Sequence, residues 1–345
     1  MVKINNSNLN KQININLVID NIDDLFNDEN ISKLFYIDNI SRIMFKYNYK
    51  VTSEIFIKNN DNNELNNDIE NIYILNNEYE EIIKKFDKYR IKINKISNIK
   101  NLDDNNIIEL IVNKIKYSRN CIIKDDKIFI KLKNEEIEVI DDEGNYTDII
   151  KLVAFFYELN RKKYYQIINI NEDININIIK EIIKSIDGDE VKLIKPNLNI
   201  PIYENIDISK LTINEVRYIY CNKYIDKNIH NDIELALKQP LYNIEKTINK
   251  LNKTIKDNDC YNNGNINDLD EDLIIKKLNE SKIIMENSLN NYDPYIITKY
   301  MDELSSIINK YLDNKIVNEN IINIYQKSKI ILEKSLNLIG IITEF

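Results

Sequence analysis

The 345-residue sequence has no tryptophan, one histidine, three cysteines, four glycines and four prolines. Because His230 is the single histidine, a histidine-rich zinc site is excluded. Cys121, Cys221 and Cys260 are odd in number and far apart, so they form neither a disulfide framework nor a paired-cysteine metal site. We therefore expect no resident metal, and we expect a reducing compartment.

Long hydrophobic runs are also lacking. No window of 18 residues is apolar and free of charge, which excludes a transmembrane helix, and residues 1–8 lack the apolar segment of a secretory signal. These features predict a cytoplasmic protein without a membrane partner. The net charge of −9 gives no general attraction to nucleic acid, so DNA is not an expected partner and RNA binding would require a local basic patch.

The residue usage itself is extreme. The chain contains 73 isoleucines and 59 asparagines but only 2 alanines and 5 arginines. Residues with A/T-rich codons are abundant and those with G/C-rich codons are rare, which indicates an AT-rich genome. Ile, Leu, Phe and Tyr nevertheless recur with regular periods, so most of the chain can bury a core.

The periods of the apolar residues divide the chain into two parts. In the first part strands alternate with helices, which favours a doubly wound α/β layer with a parallel sheet. Strands are predicted at 13–19, 51–57, 127–131, 136–140, 165–170 and 191–194, and helices at 31–47, 148–161, 174–186 and through most of 62–118. After about residue 207 only helices are predicted, at 212–222, 231–237, 241–256, 270–290, 294–313 and 318–338. We therefore predict an α/β domain over 1–205 and a helical domain over 206–345.

The helical part carries the most informative motifs. Asp293 and Pro294 suit the N-cap and first position of a helix, and Gly340 suits the residue that closes the last helix. In this part Tyr292-Asp293-Pro294-Tyr295, then Tyr300 to Leu304, and the ending Leu336 to Ile341 resemble the anticodon-binding helical domain of arginyl-tRNA synthetases. Glu215-Val216-Arg217-Tyr218 and Gln239-Pro240-Leu241-Tyr242 resemble further motifs of that family, and weaker matches continue in the same order back to residue 8.

The rare residues support this resemblance, because both alanines, two of the four glycines, two of the four prolines and one of the five arginines fall on family positions. They are Ala154, Ala236, Gly144, Gly340, Pro240, Pro294 and Arg217. The resemblance implies a Rossmann-like class I synthetase nucleotide fold followed by a helical anticodon-binding-like domain of the DALR type. It also implies a tRNA partner, with arginine tRNA as the first candidate.

Both ATP signatures of the family are missing. Where the family has His-Ile-Gly-His, the matching stretch is Asn14-Ile15-Asn16-Leu17, and the Asn16 side chain would fill the space of the adenine. The Lys-Met-Ser-Lys loop expected between Val191 and Glu215 is absent, and only Lys195 or Lys210 could substitute. Catalysis of adenylyl transfer consists mostly of positioning and charge neutralisation, so we expect no cofactor. ATP and Mg²⁺ are expected only if the chain is an active ligase.

Three further positions have both a functional and a structural interpretation. Asp148, which aligns with the family's amino-acid pocket, could still pair with a guanidinium group, although Leu152 could not. Asp141-Asp142-Glu143 could bind a divalent metal, but a solvated turn is the favoured interpretation. His230 with Asp232 could form a catalytic dyad, although a solvated helix start is favoured.

Candidate RNA-binding residues lie in the helical part. Lys246, Lys250, Lys253 and Lys256 are spaced by 4, 3 and 3 residues, so they could form a basic stripe or an ordinary solvated face. Tyr292, Tyr295 and Tyr300 could stack on unpaired bases.

Three functions remain open from the sequence. The leading hypothesis is a catalytically degenerate synthetase relative that binds tRNA or a protein partner. The alternatives are an active, highly diverged arginine–tRNA ligase, and a structural or interaction protein that retains only the fold.

Overall fold

The computed structural model describes most of the chain. The described residues are 11–58, 77–99, 102, 106–125, 127–171, 173–188, 190–196, 210–222, 233–257, 268–313 and 319–343. None of the helices within these ranges is long and apolar enough to cross a membrane.

The first part of the chain contains two sheets. Its strands are β1 (Gln12–Ile19), β2 (Lys50–Ile57), β3 (Lys95–Asn98), β4 (Cys121–Lys124), β5 (Lys127–Lys131), β6 (Glu136–Glu138), β7 (Gln166–Asn169) and β8 (Leu193–Ile194). Five of them form a sheet in the order β3-β2-β1-β7-β8, with every neighbouring pair parallel. The other three form a separate antiparallel sheet in the order β4-β5-β6.

Helices connect and cover the parallel sheet. They are α1 (Asp28–Lys46), α2 (Asn77–Tyr89), α3 (Ile107–Lys116), α4 (Asp148–Arg161) and α5 (Ile176–Asp187), and a short 3-10 helix (Ile22–Phe26) precedes α1. The predicted strand–helix alternation is confirmed, but β3, which lies inside the stretch predicted to be mostly helical, and β4 were missed.

The second part is helical throughout its described residues. Its helices are α6 (Ile213–Cys221), α7 (Ile233–Asp257), α8 (Asp268–Asn291), α9 (Tyr295–Asp313) and α10 (Glu319–Leu338). A capping box between Thr212 and Glu215 starts α6. The two helices predicted on either side of Pro240 are one helix, α7, so this proline does not end the helix as the sequence suggested.

The two faces of the parallel sheet belong to different cores. On one face Ile13, Ile15, Leu17 and Ile19 of β1 share a continuous apolar cluster with α1, α2 and helices α6 to α10. On the other face Val18 joins a second cluster formed by α3, α4, α5 and the antiparallel sheet. The helical part is therefore packed onto the α/β part through a common core.

Candidate functional site

Sheet topology places one candidate site at the ends of β1 and β7. In a doubly wound sheet, ligands bind beyond the carboxyl ends of the strands, at the point where the strand order reverses. Here β1 pairs with β2 on one side and with β7 on the other, so this point lies between β1 and β7. By their order in the chain, Asp20 and Asn21 after β1, the start of α1, and Asn171 after β7 belong to this edge of the sheet, where the topology places the crevice.

Below the crevice a row of buried polar side chains crosses the sheet. The Asn14 amide donates to Glu54 at 3.0 Å, the Asn16 amide donates to Asn14 at 2.9 Å, and the Asn169 amide donates to Asn16 at 2.7 Å. The Asn171 side chain bonds both the N–H and the carbonyl of Val18, at 2.7 and 2.6 Å. These side chains satisfy one another, as buried polar groups must.

The structure places the stretch matched to the first ATP signature inside the sheet. Asn14, Asn16 and Leu17 lie within β1 and are fully buried, with Leu17 on the face that packs against α1. The Asn16 side chain is part of the polar row and does not project beyond the end of the strand, where an adenine would bind. The segment that borders the crevice is the one that follows β1, from Asp20 to the start of α1.

That bordering segment is acidic. The Asp20 carboxylate is exposed and pairs with Lys58 at 2.5 Å, and Asp23 and Asp24 occupy the first turn of the 3-10 helix. The Asn27 side chain caps α1 by accepting the N–H of Asn30 at 2.7 Å. A helix N-terminus at this edge could bind phosphate, but here it is capped by Asn27 and preceded in the chain by acidic residues.

The structure describes both lysines considered as substitutes for the missing Lys-Met-Ser-Lys loop. Lys195 follows β8, and its ammonium lies 3.3 Å from the carbonyl of Ile174. Lys210 is exposed just before α6. Residues 197–209, between them, lie outside the described residues.

Asp148 and Asp141 line one open cavity of about 720 Å³. Asp148 begins α4 and pairs with Lys151 at 3.1 Å. The Asp141 carboxylate accepts the backbone N–H of Asn145 at 2.8 Å and that of Glu143 at 3.0 Å, and these hydrogen bonds, the Asn145 one foremost, lower the pKa of Asp141. Asp141 thus closes a turn, and no group of three potential metal ligands occurs within the described ranges. His230 and Asp232 lie outside them.

A second candidate site lies on α7. Tyr242, Lys246, Lys250 and Lys253, which we call the α7 basic face, line one shallow cavity of about 370 Å³ together with Glu245 and Asn249. Lys246 and Lys253 are exposed, Lys250 is half-buried, and the Lys246 ammonium lies 6.0 Å from the centre of the Tyr242 ring. Burial, followed by the charge of Glu215, raises the pKa of Glu245.

Sequence reasoning missed Tyr242, which is the aromatic member of this face and is 56% exposed. Its position four residues before Lys246 could have shown it, because side chains four apart lie on one side of a helix. The tyrosines that were predicted to stack on bases lie elsewhere. Tyr300 is buried and donates to the carbonyl of Lys277 at 3.0 Å, so its assignment to RNA is wrong.

Tyr292 and Tyr295 are both half-buried. The Tyr292 hydroxyl donates to Gln166 of β7 at 3.3 Å, and its carbonyl accepts a hydrogen bond from Tyr36 of α1. Tyr292 therefore joins the helical part to the α/β part and does not present a free ring to RNA.

Comparison with known proteins agrees with this architecture. Residues 240–343 match the DALR anticodon binding domain. No curated protein matches the chain in sequence. Among solved structures, arginyl-tRNA synthetase from Plasmodium falciparum superimposes with a TM-score of 0.70 at 13% identity, over 99% of this chain and 78% of that chain. The Thermus thermophilus arginyl-tRNA synthetase gives 0.67 at 10% identity, over 96% and 82%.

A synthetase of another specificity is also similar. Methionyl-tRNA synthetase from Mycobacterium tuberculosis, solved bound to methionyl-adenylate, gives a TM-score of 0.61 at 11% identity, over 95% of this chain and 90% of that chain. The parallel α/β layer with an attached helical part is thus a fold shared with aminoacyl-tRNA synthetases. The fold of the chain is like that of arginyl-tRNA synthetases and residues 240–343 match the DALR anticodon binding domain, which confirms the resemblance and the fold class predicted from the sequence.

Proposed function

We propose that the chain is a cytoplasmic tRNA-binding protein of arginyl-tRNA synthetase-like fold, which binds tRNA through its helical part and does not activate arginine. The observation that carries the proposal is the α7 basic face. It lies within the segment that matches the DALR domain, and it combines lysines with an exposed aromatic ring in a chain of net charge −9.

The composition of this face suits RNA. Exposed lysines bind phosphates and an exposed aromatic ring stacks on an unpaired base, which is how single-stranded loops are recognised. Lys246 and Lys253 are seven residues apart on one helix, or about 10 Å along its axis, which can span two neighbouring phosphates. The first candidate ligand is the anticodon loop of an arginine tRNA.

The crevice supports the loss of catalysis. The segment that follows β1 carries Asp20, Asp23 and Asp24 and so adds negative charge at the edge of the sheet where a triphosphate would bind, and like charges repel. The buried polar row offers amides and one carboxylate in place of the cationic donors that stabilise a transferring phosphoryl or adenylyl group.

The proposal is tested by two measurements on the whole chain. We expect tRNA to bind at about 50 mM salt, with an affinity that falls steeply as salt rises. Lys246→Glu with Lys253→Glu should weaken binding by about tenfold or more and reduce the salt slope by about 2, because each lysine contributes about one released counterion. ATP–pyrophosphate exchange with arginine and tRNA should stay at background.

The matched control is Lys116→Glu with Lys131→Glu, two exposed lysines in the layer on the other face of the sheet. This variant changes the net charge by the same amount but lies away from α7, so it should leave most of the affinity for tRNA intact. If both double variants weaken binding alike, the contact is not on α7. If no tRNA binds, a protein partner becomes the better explanation, and robust exchange would support an active ligase.

A further inference from the structure

A second basic cleft lies at the other end of the parallel sheet. It has a volume of about 580 Å³ and lies between the last turns of α1, the first half of β2 and the end of α10. Since Val51 and Ser53 of β2 line it, it is at the amino ends of the strands, away from the crevice beyond β1 and β7. None of the members of the α7 basic face lines it.

The cleft is positively charged. Lys46, Lys92 and Lys334 are exposed at it, and no carboxylate of the described residues pairs with any of them. Asp38 is the acidic residue among those that line the cleft, but it is buried and its charge is compensated by Arg42, at 2.6 Å, and by Arg217. A ligand therefore meets three uncompensated ammonium groups.

The same cleft presents an exposed ring. The Phe45 side chain is 76% exposed, which is unusual for so large an apolar group on a helix that is otherwise mostly buried. A ring beside cations matches a ligand that is both flat and anionic.

We infer that this cleft, which we call the Phe45 cleft, binds a nucleotide, with the base stacked on Phe45 and the phosphate held by Lys46, Lys92 and Lys334. Aromatic side chains stack on any base because every base has a π-face, and lysines neutralise phosphate as point charges. The ligand is either a free mononucleotide or an unpaired nucleotide of an RNA. The inference goes beyond the proposed function, because it concerns a different surface and does not require the anticodon domain to bind tRNA.

The test uses the whole chain with three probes: uridine monophosphate, adenosine monophosphate and a uridine hexanucleotide that contains 5-iodouridine. We expect the hexanucleotide to form a photocrosslink in the α1 peptide that contains Phe45. Phe45→Ala should weaken binding of the hexanucleotide about tenfold with an unchanged salt slope. Phe45→Tyr should bind it as the unchanged chain does, because tyrosine still stacks. Lys46→Glu with Lys334→Glu should weaken binding at least tenfold and lower the salt slope.

Tyr117→Ala removes a ring that is 91% exposed elsewhere and should change nothing. The Lys246→Glu with Lys253→Glu variant should retain the crosslink, so the cleft can be confirmed even if the α7 basic face fails to bind tRNA. Binding of the monophosphates with the same sensitivity to Phe45→Ala identifies a free nucleotide as the ligand, and binding of the hexanucleotide alone identifies RNA. A crosslink elsewhere, indifference to Phe45→Ala, or equal competition by inorganic phosphate or polyglutamate would overturn the inference.

Discussion

Two of the rare residues of this sequence are in contact with each other. Arg217 is fully buried, and its guanidinium donates to the carbonyls of Ile339 and Tyr89 at 2.8 and 2.9 Å and pairs with Asp38. Burial lowers the pKa of Arg217, and the charge of Asp38 opposes this. Gly340 lies against the same guanidinium, so the survival of both residues in a chain so poor in glycine and arginine has a steric cause.

Replacing Gly340 should therefore be severe. In Gly340→Ala the added Cβ would lie 2.3 Å from the Arg217 guanidinium, and the backbone φ of +74° disfavours any side chain. We expect the free energy of unfolding to fall by about 3 kcal/mol or more, because strain in the left-handed region adds to a clash in a buried charge network. Urea unfolding measures it.

Gly144→Ala is the matched control. Its φ of +86° is similar, but nothing lies within 4 Å of the added Cβ, so only the backbone cost of about 1–2 kcal/mol is expected. Equal losses in the two variants would show that the contact with Arg217 has no part in the effect.

Asp302 should make stability depend on pH. Burial raises its pKa to about 6, although the hydroxyl of Tyr218 donates to it at 2.6 Å. Since the folded-state pKa lies above the unfolded value, the folded chain holds the extra proton between about pH 4 and pH 6, and this contribution to stability is lost as pH rises through 6. Asp302→Asn keeps the acceptor for Tyr218 but does not titrate. Its free energy of unfolding, relative to that of wild type, should therefore rise by about 2 kcal/mol from pH 4 to pH 7.

Urea unfolding of both proteins at the two pH values measures this gain. Glu190→Gln is the control, because its side chain is 82% exposed and forms a surface pair with Lys184. If Asp302→Asn and wild type differ by the same amount at pH 4 and pH 7, Asp302 is not the titrating group.

At the scale of elements, β1 shows how a polar pattern can lie inside a protein. Its residues Ile13, Asn14, Ile15 and Asn16 alternate as in a strand with one solvated face, yet both faces are buried. The asparagines are tolerated because their amides bond to each other and to neighbouring strands.

Asn16→Leu should therefore destabilise the fold. The variant removes the acceptor for Asn169 and the donor for Asn14, and each buried group left without a partner costs about 1–3 kcal/mol. We expect a loss of about 2–4 kcal/mol in urea unfolding. Asn113→Leu, the same exchange at an exposed position of α3, should stay within about 0.5 kcal/mol. Unchanged stability in Asn16→Leu would instead place Asn16 at an open, solvated position.

At the scale of the whole molecule, the predicted boundary near residue 206 separates two kinds of secondary structure but not two cores. Arg217 of α6 bonds to carbonyls at the end of α2 and to side chains of α1, and α1 shares one apolar cluster with α6 to α10. The helical part thus depends on the sheet layer for part of its burial.

A fragment from residue 206 onward should consequently be unstable by itself. It would expose the apolar surface that packs against α1 and leave Arg217 without Asp38, and an uncompensated charge of this kind is strongly destabilising. We expect weak near-ultraviolet circular dichroism, dye binding to exposed apolar surface and no cooperative melting, beside a cooperative transition for the whole chain. A cooperative, monomeric fragment would show that the helical part folds independently.

The sequence alone determined the fold class, the order of most elements and the resemblance to arginyl-tRNA synthetases. Apolar periods show wherever a strand or helix is long enough to repeat, and the glycines, alanines and arginines that persist in an AT-rich sequence point to positions with steric demands. The lysine spacing on α7 was also visible in the sequence, because a helix has a fixed number of residues per turn.

Only the tertiary structure decided which side chains are accessible to solvent. Asn16 and Tyr300 have the chemistry of site residues, but packing buries the first in a sheet row and the second under α8. Phe45 and Tyr242 have the chemistry of core residues and are exposed beside lysines. Periodicity gives the face of an element on which a side chain lies, but whether that face meets solvent or another element depends on contacts between residues far apart in the chain.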